Sequence, residues 1–505
     1  MSIVFTEEDR EIMAKKGETE QEVLDQIDLF IKGPTPIALK RPCVLGDGIK
    51  LLDDMSTADL LKRFDEARSA GRVMNFIPAS GAASRMFEKW FRLNESPDSE
   101  EVKKFLRGLP RYPFYNSLIE MLKSRGIDPS ATDEPSAVKE IIDCILGENG
   151  LNLGALPKAL IPFHRYSDED TRTPIEEHLI EAALYIADKN GICRIHFTVS
   201  PEHMDAVEGF IEKVRPGLEK RLGVRFKIKL SPQHSFTDTL AVDLKNKPFR
   251  DESGNLLFRP GGHGALLKNL DDLGGDIVFI KNIDNIAPDR LKGDIVFYKK
   301  LLGGYLLDLQ DKIFEYLRLL EKGCDEKSQD EIEAFCRESL NFRPPRSHTS
   351  PTAEERAERL FKVLNRPIRV CGMVRNEGEP GGGPFWVDEG DGGESLQIVE
   401  GNQVDKTSED QRAAWESSTH FNPVDLVCGL RDYRGRQFKL NRYLDPETFI
   451  ITEKSFRGKP IKALELPGLW NGSMARWNTV FVEVPVFTFT PVKTVEDLLR
   501  KEHTP

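Results

Sequence analysis

From residue 71 onward, short apolar runs typical of β-strands alternate with longer segments that have helical periodicity. The strand-like runs are "RVMNFI" (72–77), "CRIHFTV" (193–199), "VRFKIKL" (224–230) and "DIVFIKN" (276–282). Between them lie helical segments, the clearest of which starts with a Thr173 cap, Pro174 at the first position and Glu176 completing a capping box. Such alternation indicates helices that cover a largely parallel sheet, so we predict an α/β domain.

The remaining segments suggest how the chain is divided. Residues 1–70 are charged and have helical spacing, and residues 366–505 are rich in strand-like runs. We therefore predict a helical N-terminal region (1–70), an α/β domain (71–365) and an α+β C-terminal region (366–505). Within the α/β domain, a mostly helical insertion is expected at about 90–154.

Charge and cysteine content exclude several functional classes. The 505 residues carry a net charge of −12, with 71 basic against 83 acidic residues, which argues against a general nucleic-acid or anionic-membrane surface. The seven cysteines are scattered without a CxxC pair, as is typical of reduced thiols. No apolar run approaches roughly 18 residues, and the first residues lack a signal-peptide layout. We expect a cytoplasmic protein without nucleic-acid or membrane partners.

The stretch "PASGAASRM" (78–86) follows the first strand-like run and has almost no side-chain bulk until Arg85. A strand, a small-residue turn and a helix would present backbone N–H groups that favour a phosphate, and a guanidinium beside them would add a forked donor. The same small residues also suit a tightly packed turn with Arg85 in solvent. The stretch alone leaves both interpretations open, and it has neither P-loop nor GxGxxG spacing.

Two further stretches carry candidate functional groups. Lys158 lies between small and apolar residues, where a lone lysine is more often a solvated surface charge. In the run 258–289, His263 lies among glycines, and the strand-like stretch 276–281 is followed by Asn282-Ile283-Asp284-Asn285. Ligands of parallel α/β sheets sit beyond the carboxyl ends of the strands, so Asp284 is well placed for Mg²⁺, although a simple turn would use the same residues.

Taken together and in order, four motifs resemble those of the nucleotide-sugar pyrophosphorylases, in particular the branch of UDP-glucose and UDP-N-acetylglucosamine pyrophosphorylases. The motifs are "PASGAASRM", "LPKALIPF…TPIEEHLIEAA", "PGGHGALLKNL…GGDIVFIKNIDN" and "FTFTPVKTVEDLL" (487–499). The chain also resembles an uncharacterised bacterial family of about 500 residues placed near these enzymes. The resemblance implies the three-layer nucleotide-diphospho-sugar transferase fold, which is GT-A-like and Rossmann-like with a mixed, mostly parallel sheet.

The resemblance also implies an activity and a set of site residues. The activity would be a UTP–sugar-1-phosphate uridylyltransferase that uses Mg²⁺, takes a nucleoside triphosphate (UTP favoured) and a sugar 1-phosphate, and releases pyrophosphate. Arg85, Lys158 and Lys493 would contact phosphates, and Asp284 would bind the metal. The implied nucleotide-binding residues are Ser80, Gly81, Ala82, Ala83, Ser84, Gln233, Gly262, His263 and Gly264.

Several features depart from the family pattern. Ser80 and Ala83 stand where glycines are usual, and Lys158 lies much farther after Arg85 than in the usual arrangement. In the C-terminal region, a sugar pocket with Asn376, Glu377, Asn422 and Asp425 and a simple glycine-rich hairpin are equally compatible with the sequence. Two alternative functions stay open: a non-catalytic nucleotide or sugar-phosphate sensor, and a GT-A glycosyltransferase, which the absence of an Asp-x-Asp motif disfavours.

Overall fold

A computed structural model describes residues 3–52, 56–81, 83–93, 100–128, 137–344, 351–378 and 381–504. The helices in these ranges are α1 (Glu7–Lys16), α2 (Glu20–Lys32), α3 (Thr57–Ser69), α4 (Glu88–Arg92), α5 (Glu100–Gly108), α6 (Tyr115–Ser124), α7 (Val138–Leu146), α8 (Pro174–Tyr185), α9 (Met204–Leu222), α10 (Leu266–Asp272), α11 (Asp289–Lys322), α12 (Glu326–Glu338), α13 (Ala353–Leu364) and α14 (Glu409–Glu416). In this part of the chain, no helix is long and apolar enough to span a membrane.

The strands are mostly short and buried. They are β1 (Leu39–Pro42), β2 (Val44–Leu45), β3 (Gly48–Lys50), β4 (Val73–Pro78), β5 (His164–Arg165), β6 (Thr171–Arg172), β7 (Ile192–Val199), β8 (Arg225–Pro232), β9 (Asp238–Val242), β10 (Phe258–Pro260), β11 (Ile277–Lys281), β12 (Ile368–Arg375), β13 (Gly383–Asp388), β14 (Glu394–Val399), β15 (His420–Phe421), β16 (Asp425–Gly429), β17 (Ile450–Phe456), β18 (Lys459–Glu465) and β19 (Asn478–Glu483). The four strand-like runs of the α/β pattern correspond to β4, β7, β8 and β11.

The chain divides into two compact units, each made of three segments. The first comprises Met1–Asp65, Gln233–Phe279 and Leu301–Val484, and the second comprises Glu66–Pro232, Ile280–Lys300 and Pro485–Pro505. The domain division at residues 70 and 365 stays a prediction from sequence.

The second unit is built on parallel strands covered by helices. β4 pairs with β7 and β7 with β8, all in parallel. The capping box expected at Thr173 is present: the Thr173 hydroxyl accepts from the Glu176 N–H, and the Glu176 carboxylate accepts from the Thr173 N–H at 2.9 Å. Helices α4–α7 bury an apolar cluster around Trp90 that also includes Val492 of the C-terminal segment.

The first unit combines parallel and antiparallel pairing. β19 pairs in parallel with β3 and β12, and β12 pairs antiparallel with β16. Two antiparallel sheets, in the orders β1-β13-β14 and β10-β9-β18-β17, belong to the same unit. The prediction of a mixed α/β fold with mostly parallel central strands is confirmed. The N-terminal 70 residues contain β1–β3 in addition to the expected helices.

Candidate active site

The small-residue turn after β4 is held at its start by the neighbouring strand β7. The Ala79 N–H donates to the Thr198 carbonyl at 2.8 Å, and the Ser200 hydroxyl donates to the Ser80 carbonyl at 3.0 Å. Gly81 is exposed, and a Cβ added there would meet nothing within 4 Å. The turn therefore begins in a fixed position, and Gly81 is exposed.

The turn differs from the predicted strand–turn–helix arrangement. A single 3₁₀ turn, Ala83–Arg85, comes first, and α4 begins only at Glu88 and has five residues. Ala83 is fully buried in the apolar cluster, and its N–H donates to the Leu156 carbonyl at 3.2 Å. The Ala83 N–H is therefore used within the protein, and the binding of an anion by this turn stays a prediction. Ala82 lies outside the described residues.

Lys158 is buried, so the interpretation as a solvated surface lysine is wrong. Only 9% of the residue is exposed. Its Nζ donates to Asp284 Oδ2 at 2.9 Å and to the Val492 carbonyl at 2.9 Å. Its backbone N–H donates to the Gly81 carbonyl at 3.1 Å, which joins it to the small-residue turn. The long chain segment between Arg85 and Lys158 thus returns Lys158 to the end of β4.

Asp284 lies just beyond β11 and is paired with the C-terminal segment. The Val492 N–H donates to the Asp284 carbonyl at 3.0 Å, and Asn285 forms an antiparallel bridge with Pro491. The Asn285 side-chain oxygen also accepts from the Thr490 N–H at 3.1 Å. These bonds fix the backbone that leads into Lys493.

Arg85 and Lys493 are exposed cations. Within the described ranges, neither side chain has a hydrogen-bond or ion-pair partner. The backbone N–H of Lys493 is held by the Asp497 carboxylate at 2.8 Å. Arg85, Lys158, Lys493 and Asp284 come from segments far apart in the sequence, and the backbone bonds above join those segments in one unit. Three of these four predicted phosphate- and metal-binding side chains are cations, an excess of positive charge that would suit a polyanion.

The donor set at Asp284 suits a metal ion that arrives with phosphates. Among the residues that the structure describes, no three His, Cys, Asp or Glu side chains form a metal cluster. Mg²⁺ commonly uses one or two carboxylates together with substrate phosphates and water. A single carboxylate at Asp284 fits that mode, although its Oδ2 also accepts from Lys158.

The glycines around His263 are explained by close backbone packing within the first unit. Gly262 has φ +72°, and a Cβ on Gly264 would lie 2.3 Å from the Pro467 carbonyl oxygen. The His263 ring stacks on Trp470 with centroids 4.2 Å apart, and its Nδ1 accepts from the Leu469 N–H at 3.0 Å. The ring is therefore held on one face and at one nitrogen.

The other predicted ligand-binding residues of the first unit have different environments. Gln233 is half-buried, and its side-chain Nε2 is buried without a hydrogen-bond partner among the described residues. Asn376 and Glu377 are exposed. Asn422 is buried, with its side-chain oxygen accepting from the Val424 N–H at 3.1 Å, and Asp425 is also buried.

A cavity of about 500 Å³ in the first unit includes one of the four predicted sugar-binding residues, Asn376. Glu400, Trp415 and His420 also line it, together with the glycines at 381–383. Glu400 connects the cavity to His263, whose Nε2 lies 3.7 Å from Glu400 Oε1. The cavity brings aromatic, amide and carboxylate groups together, a lining suited to a polar ligand with apolar faces.

Sequence reasoning missed a group of buried charged residues in the second unit. Glu177 is fully buried and contacts His164 Nδ1 at 2.8 Å and Lys292 Nζ at 2.5 Å. Burial acts to raise the pKa of Glu177, but these two groups outweigh it and the pKa is lowered. Glu181 pairs with Lys281 in the same way, at 2.9 Å. The one sequence signal was the "EEH" run, Glu176 to His178, which places three ionisable side chains in succession in the mostly apolar helix α8.

Comparison with known families assigns the chain. A family model described as "Domain of unknown function (DUF4301)" matches residues 6–504. The chain belongs to this family. The match confirms the expected relationship to an uncharacterised family of about 500 residues. No curated protein matches the DUF4301 chain.

Solved pyrophosphorylase structures are similar to the DUF4301 chain at low identity. One is a mutant UDP-glucose pyrophosphorylase of Leishmania major in complex with UDP-glucose, with a TM-score of 0.48 and 14% identity. The aligned region covers 97% of this chain and 77% of the Leishmania chain. Another is the uridine diphosphate N-acetylglucosamine pyrophosphorylase of Trypanosoma brucei in complex with an inhibitor, with a TM-score of 0.46 and 12% identity. The aligned region covers 98% of this chain and 79% of the Trypanosoma chain.

Proposed function

We propose that the protein is a nucleotidyltransferase that moves a nucleoside monophosphate, preferably UMP, from a nucleoside triphosphate to a sugar 1-phosphate. The products are a nucleotide sugar and pyrophosphate. The observation that carries the proposal is the buried contact of Lys158 with Asp284 and with the Val492 carbonyl, which joins the segments of Arg85 and Lys493 at one place.

The chemistry of this transfer suits the residue types. A phosphate oxygen of the sugar 1-phosphate attacks the α-phosphorus, and the bond from that phosphorus to the β-phosphate oxygen breaks. The nucleophile is already an anion at neutral pH, so the protein needs no general base. Its task is to bring two polyanions together and neutralise their charge, for which three cations are suited.

Each charged side chain has a distinct role in the proposal. Arg85, an exposed residue at the end of the small-residue turn, binds the triphosphate through its forked guanidinium. Lys158 is already immobilised, so its charge is in position before the substrate binds and little ordering is required on binding. Lys493 extends from a fixed backbone towards the phosphates of substrate or product.

Asp284 gives the site a place for Mg²⁺, which would be held by its carboxylate and by phosphate oxygens and would neutralise phosphate charge. The same carboxylate is oriented by the Lys158 ammonium at 2.9 Å. The carboxylate thus keeps its direction before the substrate binds.

Two features of the first unit favour a uridine nucleotide and a sugar. The Gln233 amide N–H, which is buried without a partner among the described residues, suits a carbonyl oxygen of uracil, since such a donor favours any acceptor. The cavity lined by Asn376, Glu400 and Trp415 suits a sugar, whose hydroxyls bond polar groups while its C–H face packs on an aromatic ring.

The proposal is tested by pyrophosphate release. The pure protein is incubated with each nucleoside triphosphate, a panel of sugar 1-phosphates and Mg²⁺, and pyrophosphate is measured with a coupled assay. Arg85→Ala and Lys493→Ala should each lower kcat/KM by about a hundredfold, the scale of one transition-state contact. Lys89→Ala, which removes an exposed charge on α4, is the matched control and should keep wild-type activity.

The alternative of a nucleotide sensor makes a different prediction in the same experiment. A sensor would gain thermal stability on adding a nucleoside triphosphate but would release no pyrophosphate with any sugar 1-phosphate. That result would replace the transferase by the sensor. Wild-type turnover in Arg85→Ala or Lys493→Ala would instead reject the assignment of the site.

A further inference from the structure

A buried histidine of α8 is hydrogen-bonded to the turn that follows β11. His178 is 2% exposed, and its Nε2 lies 3.2 Å from the Ile283 carbonyl oxygen. A carbonyl oxygen can only accept a hydrogen bond, so the Nε2 atom carries the hydrogen and donates it. Both residues belong to the second unit, as does Asp284, which follows Ile283 directly. The histidine therefore acts on the backbone immediately before the predicted metal ligand.

A second contact joins the same face of α8 to the end of β11. Glu181 lies three residues after His178 and so on the same side of the helix. Its carboxylate accepts from Lys281 Nζ at 2.9 Å, and Lys299 Nζ lies 3.9 Å from it. Burial lowers the pKa of His178 to about 4; Glu181 opposes this shift and the two lysines assist it. The ring is thus neutral near pH 7 and is held among groups that fix its place.

The bond from His178 acts on one of the two peptide groups that meet at the Asp284 Cα atom. The Ile283 carbonyl belongs to the peptide group before Asp284. The Asp284 carbonyl belongs to the next one and accepts from the Val492 N–H at 3.0 Å. Because peptide groups are planar, holding both of them sets the backbone angles of Asp284 and hence the direction of its side chain. On the other side of Ile283, its own N–H donates to the Pro78 carbonyl at 3.1 Å.

We propose that His178 is a positioning residue for Mg²⁺ binding: it holds the Ile283 carbonyl and so keeps the Asp284 carboxylate in the direction needed to bind the metal. Lys158 orients the same carboxylate from its far end, at 2.9 Å. Removing a group that orients a metal ligand commonly weakens metal binding by about 10- to 100-fold. The metal-binding role of Asp284 rests on the proposed function, whereas the hydrogen bond from His178 is a property of the fold.

The proposal is tested with two substitutions at one position and a matched control. His178→Leu removes the donor, whereas His178→Gln keeps one, because its amide N–H can donate to the Ile283 carbonyl. The control is His196→Leu. His196 is 6% exposed, burial also lowers its pKa to about 4, and its Nε2 lies 2.7 Å from the Ser231 hydroxyl oxygen. The control therefore loses a similar buried hydrogen bond, made to β8 instead of the turn after β11.

Hydrogen exchange and Mg²⁺ dependence are then compared. In His178→Leu, exchange of the 282–286 amides should speed up by about tenfold. The Mg²⁺ concentration that gives half-maximal rate should rise by about tenfold. The kcat at saturating Mg²⁺ and the KM for the sugar 1-phosphate should stay within about threefold of wild type. His178→Gln and His196→Leu should stay within about threefold in all of these measurements.

Three results would overturn the positioning role. The first is unchanged exchange at 282–286 in His178→Leu, which would show that the bond does not hold this turn. The second is faster exchange with an unchanged Mg²⁺ requirement. The third is an equal rise of the Mg²⁺ requirement in His178→Gln or His196→Leu, which would reflect a general loss of stability.

Failure of the proposed function gives a different result. If the wild type binds UTP with Mg²⁺ but transfers nothing, the transferase is rejected, and the Mg²⁺ requirement is read from the thermal stabilisation by UTP instead. UTP binding that does not depend on Mg²⁺, or no binding, overturns the metal role of Asp284 and with it that of His178. ¹⁵N-histidine NMR of the wild type at pH 7 needs no variant: a hydrogen on Nε2 of His178 supports the proposal, and a hydrogen on Nδ1 alone overturns it.

Discussion

Replacing Lys158 by methionine tests the contact on which the site depends. Lys158→Met keeps most of the side-chain length and apolar surface but removes the ammonium group. Asp284 then loses its ion pair, and the Val492 carbonyl loses its side-chain donor. The substitution therefore affects only polar interactions.

The magnitude follows from the burial of the pair. Hydrogen bonds to charged groups contribute about 1.5–3 kcal/mol each, and removing one partner from a fully buried ion pair costs about 3–5 kcal/mol. The Lys158 and Asp284 side chains keep 11% and 13% exposure, so water can partly replace the lost partner. We expect the free energy of unfolding to fall by about 2 kcal/mol.

The assay is urea unfolding followed by circular dichroism for wild type, Lys158→Met, Asp284→Asn and the double variant. Asp284→Asn removes the charge that Lys158→Met leaves unpaired, so the double variant should be less destabilised than the sum by about 1–2 kcal/mol. Lys89→Met, at an exposed position, should change stability by less than about 0.5 kcal/mol. A loss of less than about 0.5 kcal/mol in Lys158→Met, or strict additivity in the double variant, would refute the reasoning.

Two further predictions concern stability. Burial alone would raise the pKa of Glu181, but the charges of Lys281 and Lys299 lower it to about 2. The ionised Glu181 carboxylate therefore stabilises the fold fully above pH 4.5, and this stabilisation is lost as the pH falls towards 2. Measured by urea unfolding, the free energy of unfolding of the wild type should fall by about 3 kcal/mol over this pH range, and Glu181→Gln should lack this fall. Parallel pH profiles of the two proteins would contradict the prediction. Gly264→Ala should lower the free energy of unfolding by about 2 kcal/mol, because the new Cβ would lie 2.3 Å from the Pro467 carbonyl oxygen. Gly81→Ala should fold normally, because a Cβ there would meet nothing described within 4 Å. Equal stability of the two variants would contradict this prediction.

Much of the fold followed from local patterns that do not depend on distant contacts. The alternation of strand-like and helical segments predicted β4, β7, β8 and β11, and the capping box at Thr173 placed the start of α8. The small-residue turn at 79–85 was also placed correctly after β4. These features are encoded within a few residues, so periodicity and capping preferences suffice to find them.

The environment of each site residue was harder to predict. Lys158 seen alone is most simply a surface charge, and its burial depends on Asp284 and Val492, which are far away in sequence. The helix expected after Ser84 begins only at Glu88, and a 3₁₀ turn comes first; there Ala83 packs into the apolar cluster and its N–H donates to the Leu156 carbonyl. Neither effect leaves a signal in a short window.

The buried charges show the same limit more clearly. His164 and Glu177 look ordinary in the sequence, and His503 lies in a polar C-terminal tail. Their contact depends on how β5, α8 and the tail come together. Pairings between segments so far apart can be found only when the tertiary structure is known.

The most direct test of the proposed function follows the atoms that change partners. Sugar 1-phosphate labelled with ¹⁸O in its phosphate oxygens is incubated with UTP, Mg²⁺ and the protein, and the products are analysed by ³¹P NMR. The account predicts pyrophosphate together with a nucleotide sugar that carries ¹⁸O in the bridge between its two phosphorus atoms. It also predicts that Arg85→Ala forms this product about a hundredfold more slowly while Lys89→Ala does not differ from wild type. Binding of UTP without formation of the labelled product from any sugar 1-phosphate would contradict the central claim.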